Sequence, residues 1–255
     1  MKRDLYFLSP YLNAAGALGF DPARYLRQPN RLQLGAFITN PISLRPRKPT
    51  RQPALLEYTG GFLLHSGLPN PGLDAALRQY ARKWSDAPLP VIPHLMAGRP
   101  EETARMTRRL ESLENVLAVE LGFAPGLSDD ILRYALKMAL GELPILINLP
   151  PEQVLSLGPR LIQDGAAAIS LAAPRGALFR DGQLIGGRLY GPSLLPRSLE
   201  IIQAAQRASI PIIGAGGVYS SDDAQAMLQL GALAVQFDTA LWLPRSPVEE
   251  EQNIL

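Results

Sequence analysis

Short apolar runs alternate along this chain with longer stretches whose apolar positions recur every three or four residues. The short runs lie at 11–16 (YLNAAG), 34–39 (LGAFIT), 89–96 (LPVIPHLM), 116–123 (VLAVELGF), 143–149 (LPILINL), 167–172 (AAISLA), 210–216 (IPIIGAG) and 232–238 (ALAVQFD). Their near-continuous apolar character predicts strands buried on both faces. Between them, NPGLDAALRQYARKW, RPEETARMTRRLESLE, LSDDILRYALKMAL, PEQVLSLGPRLIQDG, LPRSLEIIQAAQRAS and SSDDAQAMLQLG predict amphipathic helices. Start signals support several of them: Asp74 and Ser128 near the first turn, Pro100 at the first helical position, and Ser220 and Ser221 before Asp222 and Asp223.

Eight such strands with alternating helices predict a single α/β domain over residues 1–255, a (β/α)8 TIM barrel. The competing architecture, a doubly wound sheet, places its glycine-rich turn after the first strand, whereas GAGG (214–217) follows a late one. In a barrel, glycines after the seventh strand, the helix start SSDD and the DTA after the eighth strand form a seat for phosphate, because bare backbone N–H groups can approach the anion closely. The same glycines also suit tight turns without any ligand. After the eighth strand LWLPRSPVEEEQNIL (241–255) is too short, polar and proline-broken for the final helix that closes such a barrel. The barrel is therefore expected to lack that helix and to expose Leu241, Trp242 and Leu243, which predicts self-association or a partner subunit there, or a tail folded back locally.

Composition narrows the chemistry. Twenty-five basic against 23 acidic residues give a net charge of +2, so no nucleic-acid footprint is expected. The chain has no cysteine, which excludes disulfides, thiolate catalysis and iron–sulfur ligation. No His/Asp/Glu cluster has metal-ligand spacing. Its lysines are Lys2, Lys48, Lys83 and Lys137, few candidates for an ammonium in a pocket. Asp4, Pro10 and Asn13 interrupt the apolar opening stretch, and no apolar run approaches the length of about 18 residues that spans a membrane, so a cytoplasmic location is expected.

SPYLNAAGALGF, LGAFITNPISLRPRKP, GLPNPGL, GGRLYGPSLLPRSLEII and IPIIGAGGVYSSDDAQAMLQLGALAVQFDTA follow one another in the order of the signatures of the FMN-dependent dihydroorotate dehydrogenases, and the chain resembles that family over nearly its whole length. The resemblance implies an FMN over the C-terminal mouth of the barrel, an oxidoreductase, and a link to pyrimidine biosynthesis. Ala14, Ala15 and Gly16 would face the isoalloxazine ring, and Gly191, Gly216, Gly217, Asp238 and Thr239 would cradle the phosphate. Family lysines beside the flavin are matched by Asn40 and Asn148. The family's serine or cysteine base after the fourth strand is matched by Ala124 or Pro125, or is lost with a shortened loop. Asparagines that hold the family's substrate are matched by Leu64, Gly122 and the stretch around Ala172. Oxidation of dihydroorotate is therefore doubtful.

Two readings follow. In one, the chain is a flavin oxidoreductase of altered substrate, with His65, Ser66, His94 and Tyr190 as candidate proton-transfer groups, each of which is also at home as an ordinary strand-end, loop or packing residue. In the other it is a non-catalytic barrel, a pseudoenzyme serving as a subunit or interaction module.

Overall fold

A computed structural model of the chain describes residues 5–29, 31–52 and 54–243. In chain order its strands are Tyr11–Asn13 (β1), Phe37–Ile38 (β2), Ala54–Tyr58 (β3), Gly61–His65 (β4), Val91–Ile92 (β5), His94–Ala97 (β6), Val119–Phe123 (β7), Ile145–Leu149 (β8), Ala168–Leu171 (β9), Arg175–Arg180 (β10), Gln183–Tyr190 (β11), Ile212–Ala215 (β12) and Ala234–Phe237 (β13). The helices are Pro22–Leu26 (α1), Leu73–Ser85 (α2), Pro100–Glu111 (α3), Asp129–Ala139 (α4), Val154–Gln163 (α5), Leu195–Arg207 (α6) and Ser221–Gln229 (α7).

Seven strands form one parallel sheet in the order β1-β13-β12-β9-β8-β7-β6. β2 pairs in parallel with β5, and single bridges join Leu12 to Ala36 and Val91 to Val116. β5 and β6 are separated only by Pro93, which has no N–H to give, although its carbonyl still accepts from the Glu120 N–H. Each of the eight predicted runs therefore contains parallel strand, and each of the six predicted helices is present. α1 had no strong sequence signal because it is little more than one turn, started by Asp21 and Pro22.

The side chains sort by the two-residue period of a strand. Leu12, Ala36, Ile38, Ile92, Ala118, Leu146, Ala168, Ile213 and Ala234 make a compact apolar cluster of their own, drawn from every parallel strand except β6, or from the residue just before the strand. The larger cluster packs the opposite strand faces against the helices, for example Phe37, Leu121, Ile147, Ile169 and Val235 against Trp84, Leu136, Leu161 and Ile202. Helix starts follow the sequence: Ser220 and Asp223 form a reciprocal capping box on α7, and Pro100 begins α3. Arg109 of α3 pairs with Asp74 of α2 instead of with a neighbour one turn away on its own helix.

A separate antiparallel sheet, β10-β11-β4-β3, is inserted into this frame. The stretch ALFRDGQLIGG (177–187), whose Asp-Gly pair signals a β-hairpin in the sequence, is part of β10 and β11, which turn at Asp181 and Gly182, both with positive φ. The β3–β4 hairpin that docks on it was not expected from the sequence. Thr239–Trp242 forms a short 3-10 turn after β13. Leu241 packs partly into the core, Trp242 and Leu243 are about half exposed, and the Trp242 indole N–H donates to the Ala17 carbonyl. The predicted absence of a closing helix falls on residues 244–255, outside the described residues. No helix among the described residues is long and apolar enough to cross a membrane.

The inner apolar cluster has little room to collapse around a void, because its side chains stand on hydrogen-bonded strands. Truncating its centre with Leu146→Ala is expected to lower unfolding free energy by about 2–5 kcal/mol, measurable by denaturant titration, with the secondary structure retained.

Candidate active site

Two residues beyond the inner apolar cluster, toward the strands' C-terminal ends, the sequence turns polar. His94 follows Ile92, Glu120 follows Ala118, Asn148 follows Leu146, Ser170 follows Ala168 and Gln236 follows Ala234. The same period that placed the apolar residues on one strand face places these five beside one another. Glu120 is fully buried, and three donors converge on its carboxylate: His94 Nδ1 at 2.6 Å, Ser170 Oγ at 2.6 Å and Gln236 Nε2 at 2.9 Å. Asn148 Nδ2 in turn donates to Ser170 Oγ at 3.0 Å. Burial pushes the Glu120 carboxyl up, but the hydrogen bonds from His94, Ser170 and Gln236 and the charge of His94 outweigh it, so its pKa lies below the ordinary value.

An ionised carboxylate carries no proton, so His94 Nδ1 is the donor in their contact. In a neutral imidazole Nε2 is then left with its lone pair, able to take a proton. That nitrogen lies over Gly122: a Cβ on Gly122 would sit 2.4 Å from it. The glycine at 122 is thus required by the histidine at 94.

His94 opens onto two adjoining cavities. The larger, about 500 Å³, is lined by His94, His65, Ser66, Arg47, Arg175 and Arg188 among others, and Tyr190 closes one side. The second, about 250 Å³, shares His94, Ser66, Arg188 and Tyr190 and adds Ala15, Gly16, Asn40, Asp238 and Thr239. A pocket of about 30 Å³ lies between Ala14, Ala15, Asn148, Gly216, Gln236, Arg188 and Tyr190. The candidate proton-transfer residues His65, Ser66, His94 and Tyr190 therefore share one mouth. Only His94 among them has a buried carboxylate behind it; Ser66 Oγ accepts from the Leu68 N–H, and Tyr190 stacks on Phe62 with its hydroxyl pKa raised by burial.

The dihydroorotate dehydrogenase family pattern matches residues 3–129 and 178–249. The chain belongs to the dihydroorotate dehydrogenase family. It is 28% identical over 265 residues to the protein of Citrifermentans bemidjiense named dihydroorotate dehydrogenase B (NAD(+)), catalytic subunit, covering 94% of this chain and 86% of that one. Proteins of the same name from Geobacter sulfurreducens and Maridesulfovibrio salexigens are each 29% identical, covering 92% of this chain and 84% of theirs. The interval outside the family match, 130–177, contains β8 and β9, which carry Asn148 and Ser170.

Against the FMN that this family membership implies, the ring end and the phosphate end behave differently. At the ring end Gly16 has positive φ and open space above its Cα, and Arg188 lines the same small pocket as Asn148, bringing a cation to the side where the family's lysine is replaced by an amide. Asn40 accepts from the Gly19 N–H, and Asn148 gives one N–H to Ser170. Of the glycines expected at the phosphate, Gly216 has positive φ beside Ser198, and Gly191 and Gly217, also at positive φ, are held tight against the backbone of Gly60 and Leu195. Asp238 is buried there, and its carboxylate accepts from Thr239 N at 2.5 Å and from Thr239 Oγ1 at 3.2 Å. Burial pushes the Asp238 carboxyl above its ordinary value, with the Thr239 donors opposing. The backbone frame fits FMN, provided that Asp238 meets the phosphate as a neutral acid.

Sequence reasoning missed Glu120, Ser170, Gln236 and the three arginines. The signal for the first three was present as a polar residue two positions after an apolar one in five separate strands.

Because the folded-state pKa of Glu120 is depressed, its contribution to stability is complete above the ordinary value of 4.5 and is lost as pH falls through the lower folded value. Unfolding free energy measured against pH should show this acid loss, and Glu120→Gln should flatten it. His94→Ala, which strands the carboxylate, is expected to cost about 3–5 kcal/mol at neutral pH.

Proposed function

We propose that the chain is an FMN-dependent oxidoreductase of the dihydroorotate dehydrogenase type, with a substrate other than dihydroorotate, on a closed eight-stave barrel in which β5 and β6 form one stave. The observation that carries this reading is the His94–Glu120 pair, whose outer nitrogen faces a cavity large enough for a small ligand. Buried carboxylate, oriented imidazole and adjoining cavity are the parts of a general base.

FMN, when bound, supplies a two-electron acceptor. The chain's own part is to remove the accompanying proton, and His94 Nε2 is placed to take it while Glu120 stabilises the imidazolium that forms. Arg188 offsets negative charge beside Asn148, the role the missing lysine implies. Tyr190, stacked on Phe62, keeps water from that side of the mouth. Ala14, Ala15 and Gly16 leave the ring end free of bulky side chains, and Gly216 offers a backbone donor to the phosphate.

Asp238 and the small volume beside Asn148 favour the second reading, a barrel that has ceased to turn over and acts as a subunit. The purified protein decides between them. A stoichiometric yellow flavin that bleaches with dithionite and reoxidises supports the enzyme; a colourless chain that takes up no added FMN supports the subunit. Asp238→Asn removes a carboxylate from the phosphate seat and is expected to tighten FMN binding about tenfold, or about 1.4 kcal/mol, with the gain largest at high pH where the native carboxyl ionises. Fluorescence titration across pH measures both.

The relatives are named catalytic subunits, and we propose a partner chain or second copy against Trp242 and Leu243. Sedimentation of the native chain and of Leu243→Glu tests this: an assembly lost in the variant supports it, and a monomer in both refutes it.

A further inference from the structure

Three guanidinium groups, from Arg47, Arg175 and Arg188, line the 500 Å³ cavity beside His94, and no aspartate or glutamate lines it with them. Arg175 and Arg188 are direct cross-strand partners in the β10–β11 ladder. Like charges at such a position repel and destabilise a hairpin, so their juxtaposition works against the fold that holds them. Among the described residues neither guanidinium makes an ion pair, although Glu152 lines the neighbouring cavity with both. Burial and the charge of Arg188 both weaken the hold of Arg175 on its proton. Arg47 is anchored by donating Nε and Nη2 to the Gly67 carbonyl, which aims the rest of its guanidinium from the opposite wall. Leu64 and Gly122 bring no side-chain hydrogen-bonding group to this wall, and the three guanidiniums bring its positive charge.

We propose that this cavity binds a small dianionic ligand, a dicarboxylate or phosphomonoester, clamped between Arg175 and Arg188 with Arg47 as a third contact and an uncharged part turned toward His94. Planar guanidiniums grip carboxylate and phosphate oxygens in pairs, and two adjacent cations call for two negative charges. The inference names the substrate class of the proposed oxidoreductase and rests on that reading only for the ligand's being a substrate.

Calorimetric titration of the full chain at pH 8 with succinate, phenyl phosphate and acetate tests it, with and without saturating FMN. At least one dianion is expected to bind tenfold or more tightly than acetate. Arg175→Gln and Arg188→Gln should each weaken that binding at least tenfold without lowering the thermal midpoint, whereas Arg207→Gln, on the last turn of α6, should leave it unchanged. Preference for succinate or phenyl phosphate identifies the source of the charge. The proposal is overturned if no dianion binds, if acetate binds as well, or if the two arginine variants bind like the native chain. Displacement of the dianion by FMN also overturns it, because the arginines would then hold the cofactor's phosphate. Dianion binding by a chain that takes up no FMN leaves the anion site standing and removes the oxidoreductase reading; FMN uptake without dianion binding does the reverse.

Discussion

A fully buried carboxylate is the constraint around which the interior is arranged. Glu120 lies above the apolar layer and beneath the mouth, where an unpaired charge is prohibitively costly. Its ionisation is sustained by donors from three other strands: His94 on β6, Ser170 on β9 and Gln236 on β13. Asn148 on β8 fixes the Ser170 hydroxyl. These bonds span the parallel sheet and hold its strands in one register, since a slip of one residue would turn every donor outward. The carboxylate thus serves the fold and the site together: what satisfies its charge also fixes the tautomer and direction of the one imidazole in contact with it.

Once the imidazole is fixed, the glycine beside it follows. His94 Nε2 occupies the place a side chain at position 122 would need. An asparagine at that position and a histidine at 94 cannot coexist without one giving way. The identities of positions 94 and 122 are therefore coupled through one contact, and a change at either bears on the other.

The strands and helices were legible because buried parallel strands write themselves as continuous apolar runs and surface helices as amphipathic ones. That same continuity hid Glu120, Ser170 and Gln236, since one polar residue inside AVEL, AISL or AVQF hardly interrupts the run. Their alignment becomes visible only when strands are laid side by side at a two-residue offset. The hairpin at 181–182 was legible from its Asp-Gly turn, whereas β3 and β4 read as a loop because their exposed, mixed faces carry no strong alternation. Arg175 and Arg188 were beyond reach for another reason. They are 13 positions apart along the chain, and only the antiparallel pairing brings them together. The glycine motif was legible as a motif, but the sequence did not show that Gly191 and Gly217 also meet backbone that leaves no room for a Cβ.

The distribution of charge in the mouth reverses what the missing lysines suggest. Loss of two cations at Asn40 and Asn148 implies an electrostatically neutral ring end above an intact phosphate seat. Instead Arg188, carried on the hairpin, and the buried carboxylate of Asp238 line the same small pocket as Asn148. A guanidinium carried on a hairpin can answer both to a flavin edge and to a ligand in the larger cavity, because it lines both spaces. A lysine fixed at the end of β8 would be confined to the first. Arg188 therefore links the two spaces: an anion that engages it in the larger cavity would draw its charge away from the pocket beside Asn148. On this arrangement the hairpin, and not the barrel's strand ends, determines how the mouth responds to what enters it.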